Sequence, residues 1–174
     1  MKIKLLAFTI ALQLTIAIPG YAQDMYKYSV DLTSTSNDEL KVELITPAIS
    51  QKEIIFYMPK IVPGTYINSD FGQFVHNLKA FDKGGKFLPV STQPGLNSWK
   101  ISKANRLYRL EYTVEDSWDA SFKHTVYEMA GTNFEAGKNF SINTCGVFGY
   151  FEGLFLQGYL GSEVRLSNGS PGIM

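Results

Sequence analysis

Tyr26-Lys27-Tyr28-Ser29-Val30-Asp31-Leu32 alternates apolar and polar residues, and Leu40-Lys41-Val42-Glu43-Leu44 resumes the alternation after the polar stretch Ser34–Asp38. A period of two sends successive side chains to opposite faces of an extended chain, so each run buries one face and wets the other. Two such runs around a short polar loop make a hairpin. The same pattern returns at Tyr108, Leu110, Tyr112 and Val114, which alternate with Arg109, Glu111, Thr113 and Glu115. One dry and one wet face is the mark of an antiparallel sheet.

Further strands follow at short intervals. Glu53–Met58 and Phe74–Phe81 read as two, the second ending in the turn signal Asp82-Lys83-Gly84-Gly85. Lys86–Val90 resumes, Pro94-Gly95 turns, and Ser98–Ser102 brackets Trp99. Ser121–Glu128 and Glu163–Leu166 are weaker strand candidates. No window carries sustained apolar spacing at i, i+3, i+4 and i+7. The expected fold is therefore all-β, an antiparallel β-sandwich-like domain with little helix.

The N-terminus has a different character. Lys2 and Lys4 precede the apolar run Leu5–Ile18, Pro19-Gly20 breaks it, and Gly20-Tyr21-Ala22 supplies small residues for cleavage. That pattern is a secretory signal peptide over residues 1–22. The run of about 14 residues falls short of the roughly 20 that span a bilayer, so stable membrane insertion is not expected. The organisation then reads as signal peptide 1–22, a β-rich domain 23–160, and a truncated or disordered tail 161–174. The expected location is periplasmic or extracellular.

Charge gives no partner away. The chain has 16 basic and 16 acidic residues, and without Lys2 and Lys4 the basic count falls two short of the acidic. No basic surplus points to nucleic acid. Cys145 is the single cysteine, so no internal disulfide staples the fold; a small core thiol is the expected role.

Chemistry-bearing patterns are sparse. Two histidines, no His-Glu-x-x-His helix and no Gly-x-Ser-x-Gly elbow leave zinc and serine chemistry without their parts. His124 and Glu128 share a face at a spacing of four, but a catalytic zinc needs about three protein ligands and no third is visible. His76 reads as a surface or edge residue. Glu115, Asp116 and Asp119 gather around Trp118, as solvated loop acids do. The 10 Tyr, 12 Phe and 2 Trp read first as core, with a groove for sugar or peptide as the second use.

One stretch stands apart. Met58-Pro59-Lys60-Ile61-Val62-Pro63-Gly64-Thr65-Tyr66-Ile67-Asn68-Ser69-Asp70-Phe71 leads from a strand into a rigid turn. Pro63, Gly64, Tyr66, Asp70 and Phe71 are its candidate site residues, with Tyr66 and Asp70 displayed. Two roles fit: a structural turn with Tyr66 packed on the sheet, or a turn that faces a substrate cleft.

This stretch resembles the Leu-Pro-x-Trp-x-Pro-Gly-Ser-Tyr-x-x-x-Asp/Glu-Phe segment of the glycyl-aminopeptidase-like metallopeptidases. Other stretches resemble the same family in the same order: Val75 to Val90, Asn97-Ser98-Trp99-Lys100-Ile101, Leu110–Val114, and Asn143-Thr144 through Phe148–Gly153. The similarity runs from about residue 26 to 153, and Ile61 stands where the family usually has Trp. The resemblance implies the N-terminal β domain of an exported enzyme whose thermolysin-like zinc domain and PDZ domain follow in the family. Zinc is then expected in that catalytic domain and no cofactor here. The partner is the catalytic domain in cis, with peptide as a further candidate. From Leu154 the likeness fades, which reads as a truncation or fragment. The chain's own enzymatic status stays open, because it lacks a catalytic site. The other reading is a free-standing β-sandwich module that binds peptide or glycan.

Overall fold

A computed structural model describes residues 26–36, 38–95, 97–118, 126, 130–135, 138–152 and 162–166, with backbone alone at 33, 34, 36 and 162–166. Twelve strands are described: β1 Tyr26–Ser36, β2 Glu39–Ile45, β3 Glu53–Tyr57, β4 Val75–Asp82, β5 Phe87–Leu88, β6 Val90–Thr92, β7 Ser98–Ser102, β8 Leu107–Glu115, β9 Asn133–Glu135, β10 Asn139–Ser141, β11 Tyr150–Phe151 and β12 Ser162–Leu166. They form a six-stranded sheet in the order β12-β1-β2-β8-β4-β5, a four-stranded sheet in the order β11-β3-β7-β6, and the β9–β10 hairpin.

The alternation read from the sequence sets the register. Val30 pairs with Val42 and Tyr28 with Leu44; Val42 pairs with Tyr112 and Leu44 with Leu110. One face of the large sheet is thereby apolar, and Lys41, Glu43, Glu111 and Thr113 take the other. Ile54, Phe56, Trp99, Ile101 and Phe151 form the inner face of the small sheet, and both faces share one buried core. Aromatic rings fill the core: the Phe56 ring lies 5.8 Å from that of Tyr112 in the facing sheet and 5.2 Å from that of Phe151, its partner in the small sheet. The fold is the antiparallel sandwich the alternation implies.

Three details depart from the sequence reading. β1 extends to Ser36, so the β1–β2 turn is tighter than the polar stretch Ser34–Asp38; a register shift between Asp31 and Ser36 accommodates the extra length. β4 keeps its apolar face only by a bulge between His76 and Lys79, with Asn77 at φ 55. The bulge lets Val75 and Ala80, five apart, both face the core. β12 runs parallel to β1, the one parallel pair among the described strands. It lies in the segment where the weak Glu163–Leu166 signal stood. Of Ser121–Glu128 only Val126 falls within the described residues, and the proposed signal peptide falls outside them.

Candidate functional site

The Met58–Phe71 stretch leaves the end of β3 and returns as a closed loop with two unlike parts. Its foot is cinched by backbone. The Lys60 carbonyl accepts from the Ser69 and Asp70 N–H groups at 2.7 and 3.0 Å, and the Pro59 carbonyl accepts from Phe71 N–H at 3.1 Å. Asp70 sits at φ 46, in the left-handed region, and is buried. Asn97 holds it there. The Asn97 amide donates to Asp70 Oδ1, while its own Oδ1 accepts from Gly72 N–H at 2.8 Å. Asn68 donates to Asp70 Oδ2 at 3.2 Å. A buried carboxylate is tolerable only when so satisfied. Phe71 is fully buried, and a 3-10 turn over Phe71–Phe74 carries the chain into β4.

The tip is the opposite. Val62-Pro63-Gly64-Thr65 closes on a Thr65 N–H bond to the Val62 carbonyl at 3.1 Å. Pro63 sets φ for the second position, and Gly64 at φ 91 supplies the third, the requirements of a type II turn. The Thr65 hydroxyl donates to the same carbonyl at 2.9 Å. Tyr66 follows at φ 56 and is 94% exposed. A non-glycine residue in that region costs about 1–2 kcal/mol, and the domain's own packing gains almost nothing from the ring. Ile61 is also exposed.

The sequence expectations therefore divide. Tyr66 is displayed, as read; it does not pack against the sheet. Asp70, read as displayed, is buried, because its side chain closes the loop. The structure brings Asp70 and Phe71 together at the foot and Pro63, Gly64 and Tyr66 at the tip. Asn97, the partner that makes the foot work, was invisible in sequence, since its contact spans 27 positions.

A wall stands behind the foot. Asn143 Oδ1 accepts from Cys145 N–H at 3.0 Å and caps the one-turn helix α1, Thr144–Val147. The Tyr112 hydroxyl donates to the Val147 carbonyl at 2.7 Å, and the Tyr28 hydroxyl to the Gly149 carbonyl at 2.6 Å. Burial pushes both phenols well above their ordinary pKa, and for Tyr28 the neighbouring tyrosines add to it. Both therefore remain donors. A Cβ on Gly146 would lie 3.3 Å from Phe71 Cδ1, and one on Gly149 only 2.3 Å from Phe56 Cζ. These glycines let the wall approach the foot and β3. Cys145 is half-buried and burial raises its thiol pKa, which favours the inert thiol over a nucleophilic thiolate.

At the same end of β3, Tyr57 and Tyr150 stack at 5.7 Å, and the Tyr57 hydroxyl donates to Glu152 Oε2 at 3.4 Å. Sequence reading passed over this pair because the two-residue β11 has no period to detect.

The remaining candidates have structural explanations. His76 pairs with Glu115 at 3.0 Å across β4 and β8. Asp116, read as a solvated loop acid, is buried; it accepts from Trp118 N–H at 2.7 Å and Phe134 N–H at 2.8 Å. Asp119, His124 and Glu128 lie outside the described residues. Among the described residues no three His, Cys, Asp or Glu side chains converge to hold a metal ion. Nor is any described helix long and apolar enough to cross a membrane.

A family model of the peptidase M61 N-terminal domain matches residues 27–166. Among solved structures, the chain is similar to an aminopeptidase N family protein from Idiomarina loihiensis, with 24% identity and a TM-score of 0.60. That match covers 82% of this chain and 22% of the other, so the chain spans about a fifth of that protein's length. At this identity the likeness speaks for the fold alone. No curated protein matches.

Proposed function

The chain belongs to the peptidase M61 N-terminal domain family, and from that premise we propose that it is the non-catalytic β domain of an exported zinc aminopeptidase-like protein, where it shapes the substrate cleft. The catalytic domain is its partner in cis and supplies the zinc; residues 1–22 are the signal peptide that directs export. The β-rich domain starts near residue 23 and, because β12 pairs with β1, runs to residue 166 rather than ending at 160.

The observation that carries this reading is the tip of the Pro63–Tyr66 turn. A tyrosine is held in left-handed backbone and left 94% exposed, on a foot fixed by a buried carboxylate and carboxamide. Backbone cost without return in this domain marks a residue used elsewhere. Docked against a catalytic domain, Pro63, Gly64 and Tyr66 form part of the cleft wall, while Asp70 and Phe71 hold them in place.

The native size of the protein tests this. An antibody against the domain, applied to exported fractions, is expected to find a species several-fold larger than 19.5 kDa, with chelator-sensitive release of N-terminal residues. A species of the mature chain's own size overturns the reading. The stacked Tyr57–Tyr150 pair would then favour the other reading, a free-standing module that binds peptide or glycan on an aromatic platform.

A further inference from the structure

Basic side chains gather at the end of the sandwich opposite the Pro63–Tyr66 turn. β3 ends at Tyr57, which leads into that turn, whereas its start meets a second 3-10 turn, Ala104–Arg106. There Ala104 N–H donates to the Lys52 carbonyl at 2.9 Å. Beside it, residues 45–49, the β4–β5 turn and residues 105–108 border an open cleft of about 960 Å³, within the range of small-ligand sites.

Lys27, Lys83 and Arg106 line this cleft against one carboxylate, Asp82, among the residues whose side chains are described, and Glu163 stands opposite Lys27 in the backbone register. The whole chain is balanced at 16 basic and 16 acidic residues, so the surplus is local. Among the described residues neither Lys27 nor Lys83 has an ion-pair partner. Asp82 does not cancel the site. Its Oδ1 accepts from Gly84 and Lys86 N–H at 3.0 and 2.9 Å, and its Oδ2 accepts from Arg106 Nη2 at 2.5 Å. Asp82 thus aims Arg106 while taking one of the guanidinium's five N–H donors. The Arg106 side chain stays 54% exposed. Exposed Tyr108 adds apolar surface to the lining, whereas Leu107 points into the core.

An oriented guanidinium, two ammonium groups with no ion-pair partner among the described residues and an apolar wall select an anion on an apolar body. We propose that this cleft binds the C-terminal carboxylate of a peptide whose last residue is apolar. The carboxylate meets the Arg106 fork, Lys27 and Lys83 neutralise it, and the last side chain rests against the exposed Tyr108 ring. An open cleft with three cations on a chain of balanced charge suits this ligand better than a membrane, which favours an extended basic face on a protein of positive net charge. The inference stands apart from the cleft-shaping role of the Tyr66 turn.

Calorimetric titration of the full chain with acetyl-Ala-Leu-Leu and with its C-terminal amide, at low salt, tests it. The free acid is expected to bind about tenfold or more tighter than the amide, because only it pairs with the cations. Lys83→Gln should weaken the acid severalfold at an unchanged melting temperature. Arg106→Lys keeps a cation beside Asp82 but loses the planar fork, and should cost about tenfold. Equal affinity for acid and amide, or no binding of the acid at millimolar concentration, overturns the proposal. So does binding of phosphatidylglycerol vesicles by a chain that ignores the peptide.

Discussion

The foot and the tip of the Met58–Phe71 loop are separated by a few residues and obey different rules. At the foot every unusual feature has a local return: left-handed Asp70 gains Asn97 and Asn68, and Phe71 gains a fully buried site. At the tip left-handed Tyr66 gains nothing within the domain, being almost wholly exposed. The difference teaches where to look for function. A strained residue that is also buried is explained by folding, whereas a large aromatic ring left in solvent on strained backbone, unlike the exposed polar Asp38 and Lys103, points to a partner outside the domain.

Substitutions can break this comparison from the foot outward. The largest effect is expected behind the foot, at Gly149→Ala, whose new Cβ would fall 2.3 Å from Phe56 Cζ and 2.5 Å from the Tyr57 carbonyl oxygen. Backbone cannot yield as a flexible side chain does, so a loss of about 3 kcal/mol is expected by chemical denaturation. Asn97→Ala comes next. It strips Gly72 N–H of its acceptor and Asp70 of an amide donor, both in buried surroundings, and should cost about 2 kcal/mol. If Asn97→Ala leaves the denaturation midpoint unchanged, the foot is not the anchor described here.

Asp82 sharpens the comparison from the far end of the sandwich. It too is a carboxylate clamp, and the Lys86 N–H above all, with Gly84 N–H and Arg106, holds its pKa below the usual carboxylate value. A depressed pKa contributes stability that is present above the unfolded-state value of 3.8 and is lost as pH falls through the lower folded-state value. Melting temperature followed below about pH 4 should thus fall more steeply for the wild type than for Asp82→Asn, which has no proton to take up. Tyr66→Ala closes the series with the smallest effect on folding. A fully exposed side chain should shift stability by no more than about 0.5 kcal/mol.

Much of the sandwich was legible in the sequence. The alternations at Tyr26–Leu32, Leu40–Leu44 and Tyr108–Val114 became β1, β2 and β8, and their apolar sets became the inner face of the large sheet. Asp82-Lys83-Gly84-Gly85 became a turn, with Gly85 at φ 80. What stayed hidden lacked a period or lay far away in sequence. β9, β10 and β11 have two or three residues each, too few for alternation to register. The β4 bulge at Asn77 hides the core face because it breaks the period. In the candidate site, turn chemistry gave Pro63, Gly64 and Tyr66, since those residue types act locally. Asp70's burial depended on Asn97, 27 positions away, and a carboxylate carries no sequence mark of whether it faces water or a distant carboxamide. The basic cleft was hidden for the same reason, since Lys27, Lys83 and Arg106 meet only after folding.

The most direct test of the account uses Tyr66→Ala and Asn97→Ala in the full-length protein that the proposed function implies, with aminopeptidase turnover and melting temperature measured together. The account predicts that Tyr66→Ala lowers turnover at an unchanged melting temperature, while Asn97→Ala lowers both. Full turnover by a folded Tyr66→Ala protein would contradict it and leave the turn with a folding role alone.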